Sequence, residues 1–189
     1  SGGVENTVNN VEKYGFAHVG AYRTKAEKAG TVICEVGGIK FGFLAYTHST
    51  NSMENRGVDK EAVDLVPYIS KADFKADVKK LRDAGAEVII AWPHWGAEYV
   101  REPDANQKKY AKKLAEAGVD IIIGSHAHEV QPMGFQSVTV DGVDKQVLTM
   151  FCMGNFISDH IVQYTDNGLI LDFTVNEQPG GRFTVDNVG

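Results

Sequence analysis

The stretch EVIIAWPHWGAEYVREPDANQKKYAKKLAEAGVDIIIGSHAH, residues 87–128, decides the fold. After Glu87 and Asp120, the strands over 87–92 and 120–123 stay apolar at successive positions, the pattern of strands covered on both faces. Between them residues 104–117 carry helical spacing and stop at Gly118, the residue type that most easily closes a helix in a left-handed conformation. The segment before repeats the arrangement, with a helix over 71–84 closing on Gly85. Helices alternating with strands of this kind predict an α/β fold built on a sheet with both faces covered.

Upstream, residues 4–15 read as a helix with Val4, Val8 and Val11 about one turn apart, leading into a short strand over 17–20. Residues 31–36 and 39–46 are rich in β-branched and aromatic side chains. Gly37-Gly38 between them suits a two-residue turn, so a hairpin is expected. Residues 47–59 are polar and aperiodic, a loop long enough to invite a functional reading. Downstream of Gln131-Pro132 the helical signal ends. Strand-like runs at 135–140, 147–153, 168–176 and 182–185 then predict antiparallel strands, with a turn at Asp141-Gly142. No repeat or linker divides the 189 residues, which read as a single domain, 1–189.

Composition narrows the function. A formal charge of -6 leaves no basic stripe for a phosphate backbone, so nucleic acid is not an expected partner. The apolar runs fall far short of the ~20 residues that span a bilayer. Cys34 and Cys152 each sit in an apolar run and are expected as unpaired core thiols.

The histidines carry the chemical signal. His94 follows the 87–92 strand, and His126 and His128 follow the 120–123 strand, at carboxyl ends where ligands bind in α/β sheets. If the chain is extended there, side chains two apart point the same way and Ala127 turns aside, so the imidazoles would converge on a common centre. One histidine after a strand is usually a hydrogen-bonded surface residue. Three at equivalent ends favour a divalent ion in a catalytic or mixed N/O site. Around them, Glu98 is a carboxylate placed either to orient a histidine or to sit exposed at a helix entry. His48 and Asn51 follow the 39–46 strand and either reach the cleft or make an ordinary turn. Trp95 either packs a wall or lines a pocket, and His160 and Asp159 either rim the site or lie in a solvated loop, the reading favoured for both. His18 reads as a satisfied core residue.

Gly124-Ser125-His126-Ala127-His128, with Glu129-Val130-Gln131-Pro132 behind it, resembles the Gly-x-His-x-His signature of calcineurin-like metallophosphoesterases in the form found in the CapA, or poly-γ-glutamate capsule biosynthesis, family. His94-Trp95-Gly96-Ala97-Glu98-Tyr99 and Met153-Gly154-Asn155-Phe156 resemble two further segments of that family, in the same order. The resemblance implies part of a four-layer αββα sandwich, this chain being its C-terminal two-thirds without the first strands. It implies His94 and His126 as ligands of one metal and His128 of another, with His94, His126 and Asn155 as catalytic residues. Two divalent ions (Mn, Fe or Zn) belong to the whole family protein. The acidic ligands belong upstream, so none or one ion is expected here. The implied activity is that of a metal-dependent phosphoester hydrolase, with a non-catalytic polymer-binding or assembly role as the alternative. The implied partners are capsule-synthesis machinery or an anionic polymer, at the extracellular face of the bacterial membrane through an upstream anchor. Uncovered sheet surface would also favour self-association.

Overall fold

A computed structural model describes residues 2–52 and 60–189, and part of the 47–59 loop lies outside them. In chain order the elements are α1 (Gly2–Lys13), α2 (Lys25–Lys28), β1 (Ile33–Val36), β2 (Ile39–Thr47), α3 (Lys60–Asp64), α4 (Phe74–Asp83), β3 (Val88–His94), α5 (Ala105–Ala117), β4 (Ile121–Ile123), β5 (Met133–Val140), β6 (Val143–Met150), β7 (Thr174–Gln178) and β8 (Arg182–Asp186). Six strands form one mixed sheet in the order β1-β2-β3-β4-β6-β5, and β7 and β8 form a second, small sheet. The centre, β2-β3-β4-β6, is parallel, and antiparallel hairpins close both edges.

Local chemistry explains the elements. Gly37 (φ 60°) and Gly38 (φ 84°) make the turn between β1 and β2 with the two positive angles it requires. Asp141 and Gly142 do the same between β5 and β6, at φ 51° and 78°. Asp73 caps α4 by accepting from the Ala76 amide. Asp104 and Gln107 form a reciprocal capping box at the start of α5.

Strand alternation sorts the core into two layers. Ile89, Ala91, Ile122 and Val147 face α4 and α5, packing with Val78, Leu81, Leu114 and Ala115. Val88, Ile90, Ile121, Ile123 and Leu148 face the other way, against Leu171, Phe173, Val175, Phe183 and Val185 of the C-terminal segment and the small sheet. Both faces of the central strands are therefore covered, one by helices and one by β-structure. Each fully buried Ile or Leu contributes about 1.5–3 kcal/mol, and the central strands supply several.

Asp120 locks the centre of the sheet from its amino-terminal side. Its carboxylate accepts from the Ile89 amide at 2.7 Å, from Arg82 Nη2 at 2.7 Å and from Lys145 Nζ at 2.7 Å.

Several expectations are corrected. Residues 17–20 form no strand, because the β1–β2 hairpin occupies that edge of the sheet. His18 is not the satisfied core residue expected: its ring lies 3.7 Å from Glu12 and from Glu27, and its buried Nε2 makes no hydrogen bond among the described residues. The 168–176 run enters a ladder only from Thr174, and before it the chain makes a single bridge, Gly154 to Gly168. Cys34 is exposed, since β1 is an edge strand with little packed on it. Cys152 is buried, and both thiols are free.

Candidate metal centre

The candidate centre lies at the carboxyl ends of β2, β3 and β4. The parallel register Thr47 to His94 brings the residues after β2 beside the end of β3. Hydrogen bonding continues past β4: Ser125 N donates to Pro93 O at 3.0 Å, Trp95 N to Ser125 O at 3.1 Å, and Tyr99 N to Ala127 O at 2.9 Å. His94 is thus the last residue of β3 rather than a loop residue beyond it, because Thr47 of β2 pairs with it and Ser125 bridges it from the other side. By alternation it falls on the face of Val88 and Ile90, away from the helices.

The backbone at the two downstream histidines is not extended. His126 has φ 103° and His128 φ 60°, angles unusual for side chains with a Cβ, while Ala127 between them is fully buried. Such conformations cost about 1–3 kcal/mol each and persist only where surrounding bonds impose them. Gly124 permits the turn's close approach: a Cβ there would lie 2.0 Å from the Phe151 carbonyl oxygen and 2.5 Å from the Trp95 indole nitrogen.

This backbone splits the histidines into two groups instead of converging three on one centre. The His94 and His126 rings lie 4.4 Å apart, and His48 joins them at 4.6 Å from His126 and 6.1 Å from His94. His128 lies 6.3 Å from His126 and turns toward His160, at 4.5 Å, and Tyr99, at 5.9 Å. His160 therefore borders the site instead of lying in a solvated loop, since it packs on a site histidine. No sequence signal marks this, because the contact depends on how the chain after Asn155 folds back.

Hydrogen bonds fix two tautomers. Asn155 Nδ2 donates to Thr165 O at 2.8 Å, so its Oδ1 accepts from His128 Nδ1 at 2.9 Å. His48 Nδ1 donates to the His94 carbonyl at 3.1 Å. In both rings the proton sits on Nδ1 and Nε2 keeps a lone pair. His94 Nδ1 has only a long contact, 3.4 Å, to Ser125 Oγ.

Burial lowers the His94 pKa, and the neighbouring His48 and His128 lower it further. Burial also brings His126 down to about 4, helped by His94 and His48. The Glu98 carboxylate opposes the shift at both rings. Both imidazoles are therefore neutral near pH 7, the form that ligates metals.

The remaining expected residues fall as follows. Glu98 is exposed and reaches His94 and His126 through its charge, with no hydrogen bond to either ring among the described residues. Trp95 is a core residue rather than a pocket wall, 2% exposed with its indole N–H on the Phe151 carbonyl at 2.9 Å. Asn51 occupies an exposed turn at φ 53°. Two buried glutamines, Gln107 and Gln131, escape the sequence reading. Gln107 Nε2 donates to Gln131 Oε1 at 2.7 Å, and Gln131 Nε2 to the Val100 carbonyl at 2.8 Å, tying α5 to both histidine loops. Only the cap half of this network, Asp104 to Gln107, is legible as a sequence pattern.

The donor chemistry suits a nitrogen-rich divalent site around His94, His126 and His48, while the second free Nε2, on His128, lies in the other group. It does not by itself fit a carboxylate-bridged pair of ions. Among the described residues no three histidines have ligand atoms all within 4.8 Å of one another. The group that meets this spacing is Glu12, His18 and Glu27. There the Arg23 guanidinium already bridges Glu12 and Glu27, and supplies the positive charge.

The chain is similar to the PGA biosynthesis protein CapA of Bacillus subtilis (strain 168), 25% identical over 186 residues, covering 97% of this chain and 45% of that protein. It is similar to the Capsule biosynthesis protein CapA of Bacillus anthracis, 30% identical over 197 residues, covering 94% of this chain and 44% of that protein. The chain thus spans less than half the length of these relatives. A hypothetical protein from Thermus thermophilus aligns over 85% of this chain and 61% of its own at 14% identity, with a TM-score of 0.44, a likeness that carries no argument. The family model for the bacterial capsule synthesis protein PGA_cap matches residues 1–160, and the chain belongs to that family, whose fold is metallophosphoesterase-like.

Proposed function

We propose that this chain supplies the imidazole-rich part of a metal-dependent phosphoester hydrolase site in a capsule biosynthesis protein. The observation that supports this reading is the pairing of His94 and His126, rings 4.4 Å apart and neutral, at the ends of adjacent parallel strands. His94 and His126 would hold one ion, and His128 faces a second position with its Nε2 lone pair free. An ion bound there supplies Lewis acidity to a phosphoryl oxygen. The chain's own residues hold and orient: Asn155 keeps the His128 proton on Nδ1, which makes it a positioning residue, and Glu98 adds negative charge beside the two rings. A two-ion centre would also need bridging carboxylates, and among the described residues no carboxylate joins these rings in a candidate ligand group. Capsule-synthesis machinery or an anionic capsule polymer is the proposed partner, at the extracellular face of the membrane.

A second reading is metal-assisted binding of the anionic polymer without hydrolysis. Zinc or manganese titration of this chain, together with hydrolysis of a chromogenic phosphodiester by the full-length relative and its His94→Asn counterpart, separates the two. Metal-dependent turnover lost in the variant supports hydrolysis. Ion binding with no turnover supports the binding role. No ion binding in either protein rejects both.

A further inference from the structure

We propose that His48, after β2, is a ligand of the same ion as His94 and His126, so that the mononuclear site in this chain is a three-imidazole site. The proposal rests on the metal reading above and extends its ligand set.

Three observations carry it. The first is the tautomer. The His94 carbonyl accepts from both the His48 backbone amide, at 2.9 Å, and His48 Nδ1, at 3.1 Å. A carbonyl only accepts, so Nδ1 carries the proton and Nε2 is the free donor. Metal-bound histidines are commonly oriented in this way, by the second ring nitrogen on a backbone carbonyl.

The second is placement. His48 lies 4.6 Å from His126 between ring centroids and stacks on His94 at an interplanar angle of 9°, closer to that pair than His128 is to His126. Three rings at the ends of three consecutive parallel strands thus lie within 6.1 Å of one another, centroid to centroid.

The third is the balance of fixed and free rings. The backbone carrying His48 is held from both sides: Thr47 N donates to Pro67 O at 3.1 Å, Ile69 N to Thr47 O at 2.9 Å, and Thr47 Oγ1 to Ser49 O at 2.7 Å. His126 makes no ring hydrogen bond among the described residues, and the His94 contact to Ser125 is long. The three nitrogens do not all lie within 4.8 Å of one another, so binding by all three requires the two loosely held rings to turn toward the fixed one about their side-chain torsions. The outer torsion of histidine is broad, which gives the rings that freedom. Three imidazoles favour zinc or a neighbouring transition ion over magnesium or calcium.

The test is titration of the 189-residue chain with Zn2+ by calorimetry and with Co2+ by visible absorption, which reports the coordination geometry. His48→Asn places an amide N–H where Nδ1 stood and removes Nε2, keeping the bond to the His94 carbonyl. His48→Gln is a second variant, His94→Asn reports on the underlying site, and His18→Asn is a distant control. Losing a group that merely orients a ligand costs about 10–100-fold in affinity, so losing a ligand is expected to cost about 100-fold or more. Both His48 variants weakening that far with an altered Co2+ spectrum, and His18→Asn matching the parent, supports the assignment. His48→Asn binding like the parent while His94→Asn fails overturns it and leaves the metal reading intact. Failure of the parent chain to bind either ion overturns both.

Discussion

The buried amide of Gln107 in α5 donates to the carbonyl of Gln131, 24 residues on, at 2.7 Å. Gln107 also caps its own helix by accepting from the Asp104 amide at 2.9 Å, and Gln131 goes on to the Val100 carbonyl. Two side chains, 0% and 2% exposed, thereby join the segment after His94 to the segment after His128. Gln107→Leu fills similar volume but leaves Gln131 Oε1 and the Asp104 amide without partners. An unmet buried polar group costs about 1–3 kcal/mol, so urea unfolding is expected to show a loss of about 2–4 kcal/mol with an unchanged slope. A loss under about 0.5 kcal/mol would mean the clasp contributes nothing.

Gly124→Ala is expected to be among the most damaging single-methyl changes in the chain. Its Cβ would meet the Phe151 carbonyl oxygen at 2.0 Å, and backbone cannot step aside as a side-chain tip can. Forced overpacking costs about 1–3 kcal/mol and occasionally more, and this clash belongs at the upper end. A thermal melt within a degree or two of the parent would show that the loop relaxes freely.

Asp120→Ala removes one carboxylate from three donors, the Ile89 amide, Arg82 and Lys145. Breaking such a pair from one side costs about 3–5 kcal/mol when fully buried. Asp120 keeps 17% of its side-chain surface and Arg82 35%, which reduces the expected loss to about 2–3 kcal/mol. The double variant with Lys145→Met should lose less than the sum of the two single changes, as a shared partner requires.

Asn155→Ala frees the His128 proton to move to either nitrogen. Metal affinity at the His128 position of the full-length relative should fall about 10–100-fold, while unfolding of this chain shifts by no more than about 1–2 kcal/mol. Proton NMR of the His128 ring is the direct check: the parent should show Nδ1–H and the variant a mixture.

Trp95→Phe keeps the aromatic packing on Phe151, whose ring lies 6.0 Å away, and deletes only the indole N–H bond to the Phe151 carbonyl. A loss of about 1 kcal/mol is expected. A much larger loss would assign the residue's importance to volume instead.

Local rules determined much of this protein from its sequence. Continuous apolar runs marked β3 and β4. Glycine pairs and Asp141-Gly142 marked the hairpins, caps marked α4 and α5, and the histidine segments with Asn155 marked the family. Each depends on residues within a few positions of one another, so each survives in a one-dimensional reading. Tertiary structure decided what those residues meet. His94 remains inside its strand because Thr47 and Ser125 pair with it from either side, and His126 and His128 diverge because bonds from Pro93, Trp95 and Tyr99 hold their loop in left-handed conformations. His48 enters the ring cluster because the parallel register sets Thr47 beside His94, and Gln107 finds Gln131 because α5 packs across both loops. These contacts join segments about 24 to 46 residues apart. They follow from sheet order and register, which are settled by the packing of the whole core and not by any one stretch of chain.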